Sequence, residues 1–159
     1  MIINFNVFTF LFGSGSNFDY LCHLAVTELR EKYPEIKRVC YTCKHESCYF
    51  ENEKDKWEKI LSNLYKKEIK VLCVEEEFNH KTKYTAGKAS YIERNQAMID
   101  DSDFCIFFYN ENYEPKKRKY YASSIGYYTP NSGTAIAYTY AKRKKKNIIN
   151  IFDLQNKDK

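Results

Sequence analysis

The sequence predicts a three-layer α/β domain built on a mostly parallel sheet of about five strands. Three observations point there. Apolar runs of strand length alternate along the chain with segments of helical spacing. Residues 104–109, Phe-Cys-Ile-Phe-Phe-Tyr, form a continuous apolar stretch of the kind a central parallel strand carries. The first apolar run halts at Gly13-Ser14-Gly15-Ser16-Asn17, a glycine turn where a strand would hand over to a helix.

Taken in order, residues 2–12 are rich in β-branched and aromatic side chains and read as the first, fully buried strand. Residues 18–32 place Leu21, Leu24, Ala25 and Leu29 at helical spacing, and Pro34 ends that helix. Residues 36–42 read as a second strand. Residues 54–65 set Trp57, Ile60, Leu61 and Leu64 on one helical face, and 69–74 read as a third strand. A helix over 89–98 leads through Asp100, Asp101 and Asp103 into the strand at 104–109. A polar, tyrosine-rich loop spans 110–132, a final helix 133–145 and a last strand 147–152. Strand–helix alternation of this kind gives a Rossmann-like arrangement with right-handed crossovers. The chain of 159 residues fits one domain over 1–154, with 155–159 a frayed tail.

Composition narrows the class. Hydrophobic residues at 43% and charged residues at 30% exclude wholesale disorder. With 15 Tyr and 11 Phe, some rings must reach the surface, where they can stack on a base or a partner. The net charge of +5 concentrates in two runs, Lys116 to Lys119 and Lys142 to Lys146. Basic runs grip polyanions, but cations at a helix C-terminus also complement its dipole, and the second run falls there. No recognised nucleic-acid motif accompanies them, so nucleic acid stays open as a partner without support. The apolar start, residues 1–12, has no basic leader or cleavage site and is too short to span a bilayer. No membrane partner is expected.

Cys73 and Cys105 lie inside apolar runs, where a reduced thiol packs as a small hydrophobe, and a cytoplasmic, reduced protein is expected. Cys40, Cys43, His45 and Cys48 are enough donors for zinc. Their spacing is compressed and lacks a second distant pair, so no metal is expected. His23 and His80 have no companions that suggest a triad or metal site.

Three segments can carry chemistry. Gly13, Ser14, Gly15 and Ser16 would let backbone N–H groups approach an anion at a helix N-terminus. Asp19 stands near where a third fingerprint glycine would be, and serves equally as a first-turn acid or as an acceptor for a ribose hydroxyl. Ser132, Gly133 and Thr134 open the last predicted helix, as a second phosphate-type loop or as an ordinary cap. Ligands of open α/β sheets sit outside the strands' carboxyl ends, where both loops are expected. Arg94, with Asn95 beside it, either reaches a ligand phosphate or pairs with a following aspartate. Tyr113, Tyr120, Tyr121, Tyr127 and Tyr128 would form either a base-stacking lid or core and dimer contacts.

The stretch from Arg94 through Met98-Ile99-Asp100-Asp101-Ser102-Asp103, then Ser132-Gly133-Thr134, Tyr140-Ala141 and residues 146–151, resembles the YpsA-type branch of the SLOG superfamily. Phe12-Gly13 to Phe18-Asp19 and Glu28-Leu29 to Tyr33-Pro34 are similar to short members of that branch. The resemblance is strong over the last seventy or so residues and weak from Cys43 to Lys88. It implies a Rossmann-like fold and binding of nucleotides, nucleotide sugars or related ligands, and it is compatible with a homodimer.

The related LOG enzymes carry an Arg-Lys pair and a loop glutamate that serve glycosidic cleavage. Arg94 matches the arginine, but Asn95 stands in place of the lysine and Ala137 in place of the glutamate. Glu93 or Asp19 would have to substitute as the acid–base group. The expected function is therefore binding, sensing or sequestering a nucleotide-like ligand, with no further cofactor assigned. The alternatives are a hydrolase acting on an N-glycosidic or phosphate bond in the same pocket, and an interaction module with a vestigial pocket.

Overall fold

The computed structural model describes residues 2–13, 16–43, 54–66, 68, 70–80, 83, 88–116, 118–119, 127–128 and 132–155. The chain forms two compact units, Met1–Met98 and Ile99–Lys159. Strands and helices alternate through both, and five strands make parallel pairs, as a Rossmann-like α/β protein requires.

In the first unit, β1 (Thr9–Phe12), β2 (Lys37–Thr42) and β3 (Glu76–Asn79) form a parallel sheet in that order. Phe12 lies opposite Cys40, and Val39 opposite Glu76. The middle strand β2 buries every residue after Lys37, because a parallel strand between two neighbours is covered on both faces. Phe12, Val26, Ile36, Cys40, Leu72 and Val74 make the core, with α2 (Asn17–Lys32) packed on it through Val26 and His23. The helices α3 (Lys54–Tyr65) and α4 (Lys88–Asp100) fall where predicted, but Ile60 and Leu64, placed on the apolar face of α3, are exposed, as are Leu21, Leu24 and Leu29 on α2.

Two strand predictions need correction here. Residues 2–12 do not form one strand: Ile2–Phe5 is a short helix, α1, and pairing begins only at Thr9. Asn6 stops α1 with a φ of 53°, a left-handed conformation that Asn tolerates better than most residues. Residues 71–74 are fully buried, as their apolar character demands, yet the ladder to β2 starts at Glu76. An apolar run specifies burial; it does not specify which residues pair.

Between the buried run, in which Cys73 makes an isolated bridge, and β3 lies Glu75, whose backbone N–H bonds Arg38 O at 3.1 Å. Arg38, on β2, has a side chain 1% exposed. Its Nη2 donates to Glu75 Oε1 at 2.6 Å, its Nε to both carboxylate oxygens at 3.2 Å, and its Nη1 to Thr27 Oγ1 at 2.8 Å. Glu75 Oε2 also accepts the Arg38 backbone N–H at 2.7 Å, and Arg30 reaches Oε1 at 2.7 Å. Desolvation alone would raise the Glu75 carboxyl. The hydrogen bonds from Arg38 and the charges of Arg38 and Arg30 outweigh it and hold the group below its ordinary value.

His23 fills the neighbouring space. Its Nε2 lies 2.6 Å from Cys73 O and its ring meets Phe12 edge-on. Burial, reinforced by the Arg38 and Lys54 charges, lowers its pKa against the pull of the Cys73 carbonyl and Glu75. The ring is held neutral, with Nδ1 buried and without a hydrogen bond.

In the second unit, β4 (Phe104–Phe107) pairs in parallel with β7 (Asn147–Asn150). Its core joins Ile99, Cys105, Phe107, Ala137, Tyr138 and Ala141, the last three from α5 (Gly133–Arg143). Against the expectation of a central strand, β4 alternates: Cys105 and Phe107 are buried, while Ile106 faces outward. Within 110–132, Arg118–Lys119 (β5) and Tyr127–Tyr128 (β6) form a short antiparallel ribbon.

The last strand is shorter than predicted, because Asn150 ends it. Its Nδ2 donates to Tyr109 O at 2.8 Å and to Asp153 Oδ2 at 2.9 Å, and its Oδ1 accepts Tyr109 N–H at 2.9 Å. The helix α6 (Ile151–Gln155) follows at once, so Gln155 is helical, and residues 156–159 of the expected tail lie outside the described residues.

The basic run after α5 is built as a helix stop. Lys146 N–H bonds Ala141 O at 3.1 Å and Lys145 N–H bonds Lys142 O at 3.0 Å, the paired bonds of a Schellman motif. Lys145 takes the left-handed position, with φ 57°. Lys144 pairs with Asp100 at 2.9 Å, Lys142 with Glu111 at 3.5 Å, and Lys146 Nζ donates to Asp100 O at 2.8 Å. Two of the run's five cations thus meet a carboxylate and a third a backbone carbonyl.

Two outcomes follow from these contacts. Glu75→Gln should lower the unfolding free energy at pH 7 by about 3 kcal/mol, the low end for a broken buried pair, since Glu75 keeps some water contact. Because the folded-state carboxyl titrates below its free value, that stability is present above pH 4.5 and disappears as pH falls further. Urea titrations in which the variant's deficit did not shrink at acid pH would contradict it. Lys145→Gly should raise Tm by about 2–4 °C, from relief of about 1 kcal/mol of left-handed strain. Differential scanning calorimetry reads that shift, and an unchanged Tm would remove strain from the account of this cap.

Candidate functional site

Gly13 follows β1 directly and is buried. The Arg94 guanidinium lies flat enough against it that a Cβ at position 13 would stand 3.3 Å from Cζ and 3.4 Å from both Nη atoms. That closeness, and not an unusual backbone angle, is what requires glycine here. Arg94 comes from α4 and is 4% exposed. Its Nη1 donates to Tyr41 O, near the end of β2, at 3.0 Å, and its Nε to Asn95 Oδ1 at 2.9 Å. One arginine therefore ties together the ends of two adjacent parallel strands and the helix that bears it.

Ser16 is the N-cap of α2. Its Oγ accepts the Asp19 backbone N–H at 2.9 Å and donates to Asp19 Oδ2 at 2.6 Å. This is a serine N-cap whose hydroxyl is in turn held by the first-turn carboxylate of Asp19. Of the two roles open to Asp19 in the sequence, the structure displays the first-turn acid. Ser14 and Gly15 lie outside the described residues.

In the second unit, Ser132 caps α5 by accepting Ala135 N–H at 3.4 Å, and Gly133 and Thr134 are exposed in the first turn. A Cβ on Gly133 would meet nothing within 4 Å, so that glycine leaves the helix N-terminus open. Ala137, which stands where the related enzymes carry their glutamate, is buried against the β4 side of the core. Asp100, the first of the aspartates after Arg94, accepts Tyr140 Oη at 2.8 Å and Lys144 Nζ at 2.9 Å. Glu93 accepts Lys83 N–H at 2.8 Å.

Cys40 and Cys43 are both buried, and Cys43 Sγ accepts Ser90 Oγ at 3.8 Å. His45 and Cys48 fall outside the described residues, and no group of three or more potential metal ligands occurs among the described ones. Of the loop tyrosines, Tyr113 is well exposed, Tyr127 and Tyr128 lie in β6, and Tyr120 and Tyr121 are outside the described residues. Sequence reasoning passed over Tyr91, which lies one turn before Arg94 with its ring centroid 5.5 Å from Cζ. It also passed over His23 as a core group. The signal for both is helical offset: Tyr91 is three residues from Arg94, and His23 three from buried Val26.

Parallel strands linked through helices, with a glycine at a strand's carboxyl end facing a capped helix start, define a Rossmann-like α/β protein. A family model described as the YspA SLOG family matches residues 2–144, and the chain belongs to that family. Membership makes it a nucleotide-related Rossmann-like domain in general. No curated protein and no solved structure gives a significant match. Among the described residues, no helix is long and apolar enough to cross a membrane.

The two glycines should respond oppositely to alanine. Gly13→Ala must push aside a buried, doubly hydrogen-bonded guanidinium and should cost about 1–2 kcal/mol, in the overpacking range. Gly133→Ala enters open space in a first helical turn and should be neutral or slightly stabilising. Equal destabilisation in chemical denaturation would break the assignment of Gly13 to a close-approach role.

Proposed function

We propose that the protein binds a nucleotide or nucleotide-derived ligand, as a sensor or sequestering module in a reduced, cytoplasmic setting. The observation that carries this is the Arg94 guanidinium seated beneath Gly13 at the end of β1. A buried cation behind a glycine turn, beside the positive end of α2, makes a field that favours a phosphate. Gly13, Ser14, Gly15 and Ser16 are the residues assigned to the phosphate, and Arg94, with Asn95 bonded to it, backs Gly13 from α4. Asp19 fixes the start of α2. In the second unit, Ser132, Gly133 and Thr134 present a further helix N-terminus.

Binding is favoured over turnover by the carboxylates. The glutamate position of the related enzymes is the buried Ala137. The two carboxylates that would have to substitute are engaged, Asp19 with Ser16 and Glu93 with the Lys83 amide. A general acid needs reach to its substrate, and each carboxylate is held in a local contact instead.

The test is calorimetry and thermal shift with AMP, GMP and ribose 5-phosphate, each ligand recovered afterwards and analysed. Wild type should be stabilised and return the ligand unchanged. Arg94→Ala, with folding checked by circular dichroism, should bind about tenfold or more weakly, in line with loss of a charged hydrogen-bonding group. Conversion of the ligand would replace this reading with the hydrolase, and a folded Arg94→Ala of wild-type affinity would remove Arg94 from the site.

A further inference from the structure

We propose that the end of α5 is a docking surface for the phosphodiester backbone of a nucleic acid, recognised by charge and not by base sequence. Lys142, Arg143, Lys144 and Lys145 are four consecutive exposed cations, and Lys146 follows half-buried. The partial charge at a helix C-terminus is equivalent to about half an elementary charge, so one cation is enough to answer it. The other contacts leave a surplus. Lys142 and Lys144 meet the carboxylates of Glu111 and Asp100, and Lys146 donates to the Asp100 carbonyl. Arg143 and Lys145 pair with no carboxylate among the described residues.

Two features set this run apart from an ordinary solvated helix end. The first is Lys145, which holds a φ of 57° at the position after the helix where glycine is the usual occupant. A lysine kept in a left-handed conformation that glycine would adopt without strain points to a use for its ammonium group. The second is the footing of the neighbouring cations. Lys142 Nζ lies 4.6 Å from the Tyr138 ring centroid, and Arg143 Cζ and Lys144 Nζ lie 4.9 and 5.2 Å from that of Tyr140. Tyr138 is rooted in the core against Phe107, and Tyr140 packs against the same core and donates to Asp100. Three side chains are thus steadied on fixed rings, so they lose less rotamer freedom on meeting an anion. Residues 142–146 include no apolar side chain to enter a bilayer, which favours a soluble polyanion over a lipid surface. Lysine and arginine contacts to phosphate carry no sequence information, so binding is sequence-independent and sensitive to salt.

The experiment follows the fluorescence anisotropy of labelled oligo(dT) and of a mixed-sequence strand of equal length, about 20 nucleotides, titrated with the full chain. Wild type should bind both alike, and its affinity should fall about tenfold or more as salt rises from ~50 to ~200 mM. Lys145→Gly, with no loss of Tm, and Arg143→Gln should each bind about fivefold more weakly, with a salt slope smaller by about 0.7. Lys145→Arg should keep wild-type affinity. Lys59→Gln, which removes one charge from an exposed position on α3, should leave affinity unchanged. Wild-type affinity in both Lys145→Gly and Arg143→Gln overturns the proposal, as does an equal loss in Lys59→Gln, which would reduce the effect to net charge. A wild type that binds neither strand overturns it too, and if that protein binds phosphatidylserine vesicles instead, the surface is one for lipid.

Discussion

A guanidinium placed inside a parallel sheet is the constraint around which the first unit is arranged. Removing a charge of that kind from water costs several kcal/mol, and only a nearly complete set of acceptors offsets it. Arg38 obtains that set from Glu75 and Thr27, which fixes the chain just before β3 and one face of α2 together. Glu75 in turn draws in Arg30 from the end of α2. Thr27 Oγ1 donates to His23 O, and His23 reaches Cys73. A single buried charge thus organises helix, strand and the segment leading to the next strand, where an apolar residue at position 38 would have left all three free to slide.

The glycine turn works on the same logic at smaller scale. Arg94 is buried where Tyr41 O and Asn95 accept its protons, and its flat face requires a neighbour without a side chain. The two arginines sit on different elements and do different jobs. Arg38 holds the sheet to its helix; Arg94 holds the strand ends to α4. The second unit uses no buried arginine of this type among its described residues. It relies on Asn150, which closes β4 against β7 through both backbone groups of Tyr109.

Helix periodicity made the spans of α2, α3, α4 and α5 legible but not their faces: Leu21, Leu24 and Leu29 on α2 and Ile60 and Leu64 on α3 are exposed, while α2 packs through His23 and Val26. Strand ends were harder to read. Residues 71–74 are as apolar as a strand and as buried, but they contribute only an isolated bridge at Cys73, and the ladder to β2 runs from Glu76. Asn150 ended a run that looked continuous, through a side chain whose partner lies 41 residues away. At the site, Gly13 and Arg94 were both visible as candidates, but their contact joins residues far apart in the chain and no pattern announces it. Ser16 and Asp19 were legible locally because a helix N-cap acts within three residues.

The cysteines give the molecule an internal clock. Cys40, Cys43 and Cys73 are buried in the first unit and Cys105 in the second, while Cys22 lies half-buried on α2. Burial, aided by Asp19, pushes the Cys22 thiol up to about 11, so even the most accessible of the five is a poor nucleophile at neutral pH. A thiol reagent must then wait for the fold to open before it can react at the buried positions. The rate at which each unit's sulfurs are modified is a record, kept by the protein's own atoms, of how often that unit breathes.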